Sequence, residues 1–296
     1  MKIGILGLGK MGGRIAVKLQ KDGHGVLAWN RSETAVEDIK IIKTIKELVQ
    51  NLEKPRVIWV MVPSGIATDE VLSEVLKYVG KDDIVIDGGN ANFKDTEKRY
   101  QQFKNKGIRF LGIGVSGGLK AFENGYSLMA GGDKSAYEYI EPILKSLSYP
   151  NGGYDYFGVG GAGHFIKMVH NGIEYGMMQS IGEGFGVLEK SEYDFDLQKV
   201  ARIWQKGTVI SGFLMDRTKE VFEKDIKDVV GVIDATGEAE WTVKQAKKEE
   251  VPIEIIEKSL EFRKKSQNDP KIQNSFAAKV VASLRNAFGG HEIKKK

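Results

Sequence analysis

The first half of the chain alternates between two hydrophobic periods. Short apolar and β-branched runs at 2–6, 26–30, 57–62, 84–87 and 108–113 predict strands. Between them, 11–22, 44–52, 67–79 and 95–106 carry apolar residues at helical spacing. Strands alternating with helices predict a parallel sheet with helices on both faces. From about His164 the pattern changes. Segment 165–190 is long and apolar on several faces, and 197–206, 213–223, 241–248, 253–266 and 275–285 also read as helices. Asn268, Asp269 and Pro270 mark a turn between the last two. The expectation is an α/β plus all-α protein. A doubly wound parallel sheet spans 1–162 and an all-helical domain spans 163–296, with the boundary in the glycine cluster 158–163.

Composition narrows the class. The chain has 296 residues and 36 glycines, of which 25 fall in 1–163 and 11 in 164–296. The absence of cysteine excludes disulfides, thiolate metal sites and a cysteine nucleophile. The four histidines (His24, His164, His170, His291) leave little material for a metal site, and no metal is expected. Net charge is +4, with no basic stripe interleaved with aromatics, so nucleic acid is not an expected partner. The basic end at 294–296 reads as a solvated tail. No apolar run approaches the roughly 20 residues needed to span a bilayer, and the start of the chain is a glycine-broken run unlike a signal peptide. A soluble cytoplasmic protein is the plain expectation.

Two motifs carry chemistry. Gly7-Leu8-Gly9-Lys10-Met11-Gly12 matches G-x-G-x-x-G between a predicted strand and a predicted helix. That is the Rossmann context, in which glycines let the backbone approach a pyrophosphate at a helix N-terminus. The second strand ends at Asn30, Arg31 and Ser32. An acid there would hold the ribose hydroxyls of NAD. Arg31 can instead pair with a 2′-phosphate, which favours NADP over NAD. The alternative keeps Arg31 as a loop cation stacking on adenine, with Glu33 facing the ribose.

The second motif is a helix face. Lys167, His170, Asn171 and Glu174 are spaced i, i+3, i+4 and i+7 in an otherwise apolar segment. A lysine and a glutamate two turns apart suit a reaction with two proton-handling positions. The same spacing accommodates an internal Lys–Glu ion pair beside a core histidine. Gly172 and Gly176, costly in a helix, fit close approach by a ligand or by another helix equally well.

At these residues the chain resembles the 6-phosphogluconate dehydrogenase family, the decarboxylating enzymes of the pentose phosphate pathway. The resemblance runs nearly end to end. It includes the 7–12 turn, Asp87-Gly88-Gly89-Asn90, Gly114-Val115-Ser116-Gly117-Gly118, the 167–175 helix, and Arg285 through His291. The length matches the short branch, without a duplicated helical set. The resemblance implies oxidation of 6-phosphogluconate to ribulose 5-phosphate and CO2, with NADP or NAD as acceptor and no metal.

It also implies roles. Lys167 would take the C3 hydroxyl proton, and Glu174 would assist protonation at C1. Asn171 and His170 would hold substrate hydroxyls, and Tyr175 the phosphate. Ser116, Gly117 and Gly118 would bind the carboxylate end, and Asn90 would lie between substrate and nicotinamide. Thr242 would contact substrate, and Arg263, Arg285 and His291 would bind phosphate. In the family the tail enters a neighbouring subunit's cleft, which implies a homodimer or homotetramer. Val62, Pro63 and Ser64 follow a predicted strand and are expected at the cofactor. One departure stands out. Before Trp241-Thr242 the family usually has lysine or arginine, and this chain has Glu240, with Lys244 one turn on as a substitute cation. A related β-hydroxyacid dehydrogenase would share the glycine turn, the Ser-Gly-Gly loop and the helix lysine without needing Glu174, Arg285 and His291. A nucleotide-sensing protein without catalysis would need neither Lys167 nor Glu174.

Overall fold

The computed structural model describes residues 1–295. It divides the chain into two compact units, Met1–Lys167 and Met168–Lys296.

The first unit runs β1 (Lys2–Leu6), α1 (Gly12–Lys21), β2 (Gly25–Trp29), β3 (Lys40–Ile41), α2 (Ile45–Gln50), β4 (Val57–Val60) and α3 (Ile66–Val75). It continues with β5 (Ile84–Asp87), α4 (Phe93–Lys104), β6 (Arg109–Ser116), α5 (Ala121–Asn124), β7 (Ser127–Gly132), α6 (Lys134–Tyr139), α7 (Glu141–Leu147) and β8 (Tyr154–Tyr156). The strands form one sheet in the order β3-β2-β1-β4-β5-β6-β7-β8. Strand alternation explains why both faces are covered. Ile3, Ile5, Trp59, Ile84 and Ile86 point into one core with Ile15 and Leu19 of α1. Their neighbours Leu6, Ile58, Val60 and Val85 point into the other, with Leu48 of α2, Leu72 of α3 and Phe103 of α4. Side-chain caps start several helices: Thr44 accepts from Glu47 N–H and Asn92 from Lys94 N–H.

The sheet departs from the all-parallel expectation at one edge. β7 pairs antiparallel with β6, from Leu111↔Gly132 to Ser116↔Ser127. The connection between them is too short for a parallel crossover, which needs about a dozen residues or more. β7 and β8 carry weak hydrophobic periods, β7 through its small residues and β8 because it has only three residues, so periodicity predicted neither.

Helix α8 (Ala162–Lys190) begins in the first unit and supplies the central helix of the second. There follow α9 (Leu197–Trp204), α10 (Phe213–Val221), β9 (Val229–Val230), α11 (Glu238–Lys248), α12 (Glu254–Ser266), α13 (Pro270–Gln273), α14 (Phe276–Gly289) and β10 (Lys294–Lys295). Within this unit, three apolar clusters surround α8. Met178 packs with α10 and α14, Tyr175 with α11 and α12, and Phe185 with α9 and α10. To the helices the structure adds one short antiparallel pair, β9 with β10. Lys294 and Lys295 are therefore tied to Val230 and Val229 and do not form a free tail; Lys296 lies outside the described residues. Among the described residues no helix is long and apolar enough to cross a membrane.

Candidate active site

The carboxyl ends of β1, β2, β4, β5 and β6 carry the first unit's expected site loops. Gly7 adopts φ +101° and donates to the Trp29 carbonyl at 2.8 Å. A Cβ on Gly12 would collide with the Gly7 carbonyl oxygen, whereas nothing lies within 4 Å of a Cβ built on Gly9. The turn is closed at two glycines and open at the third. Met11 stands at the N-cap of α1, so the turn leads directly into the helix N-terminus. This arrangement fits a dinucleotide pyrophosphate.

Asn30, at the end of β2, holds that turn. Its Oδ1 accepts the Leu8 N–H at 3.0 Å, and its Nδ2 donates to the carbonyl and hydroxyl oxygens of Ser32, both at 3.1 Å. Arg31 extends to Glu70 on α3, with Nη2 donating to Oε2 at 2.6 Å. Beyond β4, Val62 is half-buried and Pro63 and Ser64 are exposed. The Pro63 carbonyl accepts from Thr68 Oγ1 at 2.9 Å.

Asp87 ends β5 and organises the next loop. Its Oδ1 accepts the Gly89 N–H at 3.1 Å, and its Oδ2 accepts from Arg99 Nη1 at 2.9 Å. Arg99 also donates twice to Asp69, at 2.9 and 2.7 Å. This network, buried at Asp87 and Arg99, leaves Asn90 exposed just past the buried Gly88-Gly89. After β6, Gly117 and Gly118 both take positive φ (+110° and +59°), so Ser116 leads directly into a turn.

The first turns of α8 press against β6. Gly112 and Gly114 lie on one face of that strand, and His164 and Lys167 lie one turn apart on the helix. A Cβ on Gly112 would meet His164 Nδ1 at 3.0 Å, and one on Gly114 would collide with Lys167 Cβ. His164 is wholly buried, with Nδ1 bonded to Thr96 Oγ1 at 2.7 Å. Burial holds the imidazole pKa below its ordinary value. The Asp87 charge works the other way and Arg99 reinforces the shift. Lys167 is 8% exposed. An apolar groove of about 520 Å³ lined by Phe93, Phe157, Val159, Phe165 and Ile166 contains none of the expected site residues.

The second unit gathers cations around Tyr175. The Arg263 guanidinium carbon lies 3.2 Å from the Tyr175 ring centroid, and the arginine is 1% exposed. Neither Nη1 nor Nη2 of Arg263 has a hydrogen-bond partner among the described residues. Burial lowers its pKa to about 10; Tyr175 and Glu174 act against that shift, while the Arg285 charge adds to it. Arg285 Nη2 in turn lies 3.4 Å from His291 Nδ1. The tail is folded back by Gly290 (φ +63°) and by the Asn286 Nδ2 bond to the His291 carbonyl at 2.7 Å. Asn171 is buried, its Oδ1 2.9 Å from His170 Nδ1. Thr242 is placed at a helix contact. Its hydroxyl is shared between the Met168 and Glu238 carbonyls at 2.9 and 2.8 Å, and Gly172 makes room for it. Glu240 lies between two lysines, Lys244 at 2.7 Å and Lys264 at 3.4 Å. Its pKa is lowered, chiefly by the Lys244 bond.

Residues 2–159 match the family model described as the NAD binding domain of 6-phosphogluconate dehydrogenase, and 163–295 match the 6-phosphogluconate dehydrogenase C-terminal domain. The chain belongs to the 6-phosphogluconate dehydrogenase family. It is 44% identical over 303 residues to YqeC of Bacillus subtilis, itself assigned to this enzyme only provisionally, with all of both chains covered. It is 35% identical over 304 residues to the NAD(+)-dependent, decarboxylating 6-phosphogluconate dehydrogenase of Haloferax volcanii, covering 100% of this chain and 99% of that one. The solved structure of the Plasmodium falciparum 6-phosphogluconate dehydrogenase, studied apo, with NADP+ and with 6-phosphogluconate, superposes with a TM-score of 0.82 at 32% identity. That match covers 90% of this chain and 62% of the other.

Sequence reasoning gave no role to several residues that shape this family member's loops. In the sequence Asp87 is only part of a Gly-Gly motif; its partner Arg99, and Asp69, which Arg99 also holds, are distant in sequence. Thr96 and His164 are buried polar residues whose pairing appears only in three dimensions. Glu70 belongs to no sequence motif, and its pairing with Arg31 joins residues 39 apart.

Proposed function

We propose that the chain is an NAD(P)-dependent 6-phosphogluconate dehydrogenase that forms ribulose 5-phosphate and CO2. The observation that carries this reading is Arg263. A buried guanidinium whose two Nη atoms have no hydrogen-bond partner among the described residues, stacked on Tyr175 and accompanied by Arg285 and His291, suits a phosphate group, because arginine offers a planar fork to two oxygens.

The other residues take roles consistent with their surroundings. A bound nicotinamide would supply the acceptor for the hydride that leaves C3 of the substrate. Lys167, buried against Gly114, takes the C3 hydroxyl proton. The resulting β-keto acid loses CO2 because its carbonyl accepts the electron pair, and Lys167 returns a proton toward that oxygen. Glu174 lies seven residues further along α8, roughly 10 Å by helical rise, and delivers the proton to C1. Ser116, Gly117 and Gly118 receive the substrate carboxylate, Asn90 spaces substrate from cofactor, and His170 and Asn171 hold hydroxyls. The 1–162 segment serves the cofactor and 163–296 the substrate phosphate. The family resemblance further supports a homodimer or homotetramer.

One assay tests this. The protein is mixed with 6-phosphogluconate and NAD or NADP, and nicotinamide reduction and CO2 release are followed together. Both are expected. Reduction without CO2 would place the chain among the β-hydroxyacid dehydrogenases. Lys167→Ala is expected to bind cofactor normally and to lose roughly 10²–10⁴-fold in turnover.

A further inference from the structure

The end of β2 contains an arginine but also, brought from another element, an acid. Asn30 is occupied at both ends of its amide, by Leu8 and by Ser32. Arg31 is therefore the group in the 30–32 segment with a charge to offer an added phosphate. Its guanidinium is already paired with Glu70 at 2.6 Å, with side-chain exposures of 64% and 56%. Glu70 is held there by its neighbours. Asp69 takes two bonds from the buried Arg99, and Thr68 bonds the Pro63 carbonyl, which anchors the first turn of α3.

We propose that Glu70 sets the choice between NAD and NADP. The inference rests on the dinucleotide reading of the glycine turn. A 2′-phosphate would have to displace the carboxylate from the guanidinium and would lie close to its charge. An unphosphorylated ribose carries no such charge, and its hydroxyls can donate to a carboxylate. The acid that an NAD site often carries at the end of the second strand is here supplied by α3. Because both partners are exposed, the pair is weak and can open. Glu70 therefore biases the preference toward NAD without excluding NADP.

The test is direct binding, without substrate. Calorimetric titration of NAD+ and NADP+ into the full chain, Glu70→Gln and Arg31→Ala gives two dissociation constants per protein, with circular dichroism as the folding check. Glu70→Gln is expected to tighten NADP by about 3- to 10-fold, the scale of an exposed charge pair, and to leave NAD within about twofold. A ratio of the two constants that is unchanged in Glu70→Gln, or that moves toward NAD, overturns the proposal. Should Glu70→Gln fold poorly, Glu70→Ala is read by the same ratio. Arg31→Ala is expected to weaken NADP more than NAD; equal effects would remove the premise that Arg31 reads the phosphate and would overturn the proposal with it. If the native chain binds neither cofactor, the dinucleotide reading itself fails, an outcome distinct from an unchanged ratio.

Discussion

Gly114 of β6 and Lys167 of α8 occupy one slot: a Cβ on the glycine would collide with the Cβ of the lysine. The lysine reaches its position only because the strand offers no side chain beneath it. Gly114→Ala should shift the start of the helix, costing about 1–3 kcal/mol by overpacking. It should also lower kcat on the order of 100-fold by displacing the proposed base. Gly80→Ala, where nothing lies within 4 Å of the added Cβ, serves as the control and should change neither. Steady-state kinetics and thermal melts on the two variants decide the matter; equal behaviour would sink the idea.

Arg263→Met should raise KM for 6-phosphogluconate by about 100-fold. That follows from the loss of charged hydrogen bonds worth about 1.5–3 kcal/mol each. KM for unphosphorylated gluconate should stay unchanged. The apo protein should lose little stability, since a buried guanidinium whose two Nη atoms have no hydrogen-bond partner among the described residues is replaced by an apolar chain of similar length. Kinetics with both acids and a melt of the apo protein give the three numbers.

His164 predicts a pH dependence. Its folded pKa lies below the ordinary 6.5, chiefly through burial. Between the folded value and 6.5 the unfolded chain binds more protons. Stability from this residue therefore rises with pH through that window and is lost as pH falls through it. His24 is shifted in the same direction. Urea midpoints at pH 7.5 and 5.5 should differ less in His164→Gln than in the native chain; identical differences would refute the assignment.

Glu240 is expected to weaken phosphate binding despite its lysines, because Lys244 and Lys264 are both drawn toward it. Glu240→Lys should lower KM for 6-phosphogluconate several-fold, with Glu240→Gln between the two. The effect should shrink at high salt. An unchanged KM in Glu240→Lys would show that this position does not act on the substrate.

The doubly wound half was legible because its strands are buried on both faces and its helices on one, which writes two clear periods into the sequence. The Gly7–Gly12 turn was legible for a related reason: close backbone approach admits few residues other than glycine. β7 was not, since Ser127 through Gly132 includes alanine and glycines whose small size leaves little hydrophobic signal. Asn30 was noted as the residue at the end of a strand, but its bond to Leu8 joins residues 22 apart. The Arg31–Glu70 pair is likewise a product of the crossover between β4 and α3. Tyr175 and Arg263 were both singled out, yet their stacking depends on α8 and α12 sharing a core that no local pattern encodes.

The glycines around the start of α8 have a consequence for mutational landscapes. A side chain on Gly131 would strike the Ala162–Gly163 backbone at the start of α8, one on Gly163 would strike the backbone of β6 and β7, and one on Gly112 would strike Thr96 and His164. In a saturation scan scored by turnover, these positions should tolerate almost nothing and rank beside Lys167. A scan scored by abundance would separate them. Substitutions at the three glycines should deplete the folded protein, whereas substitutions that leave the Lys167 backbone intact should leave its amount unchanged.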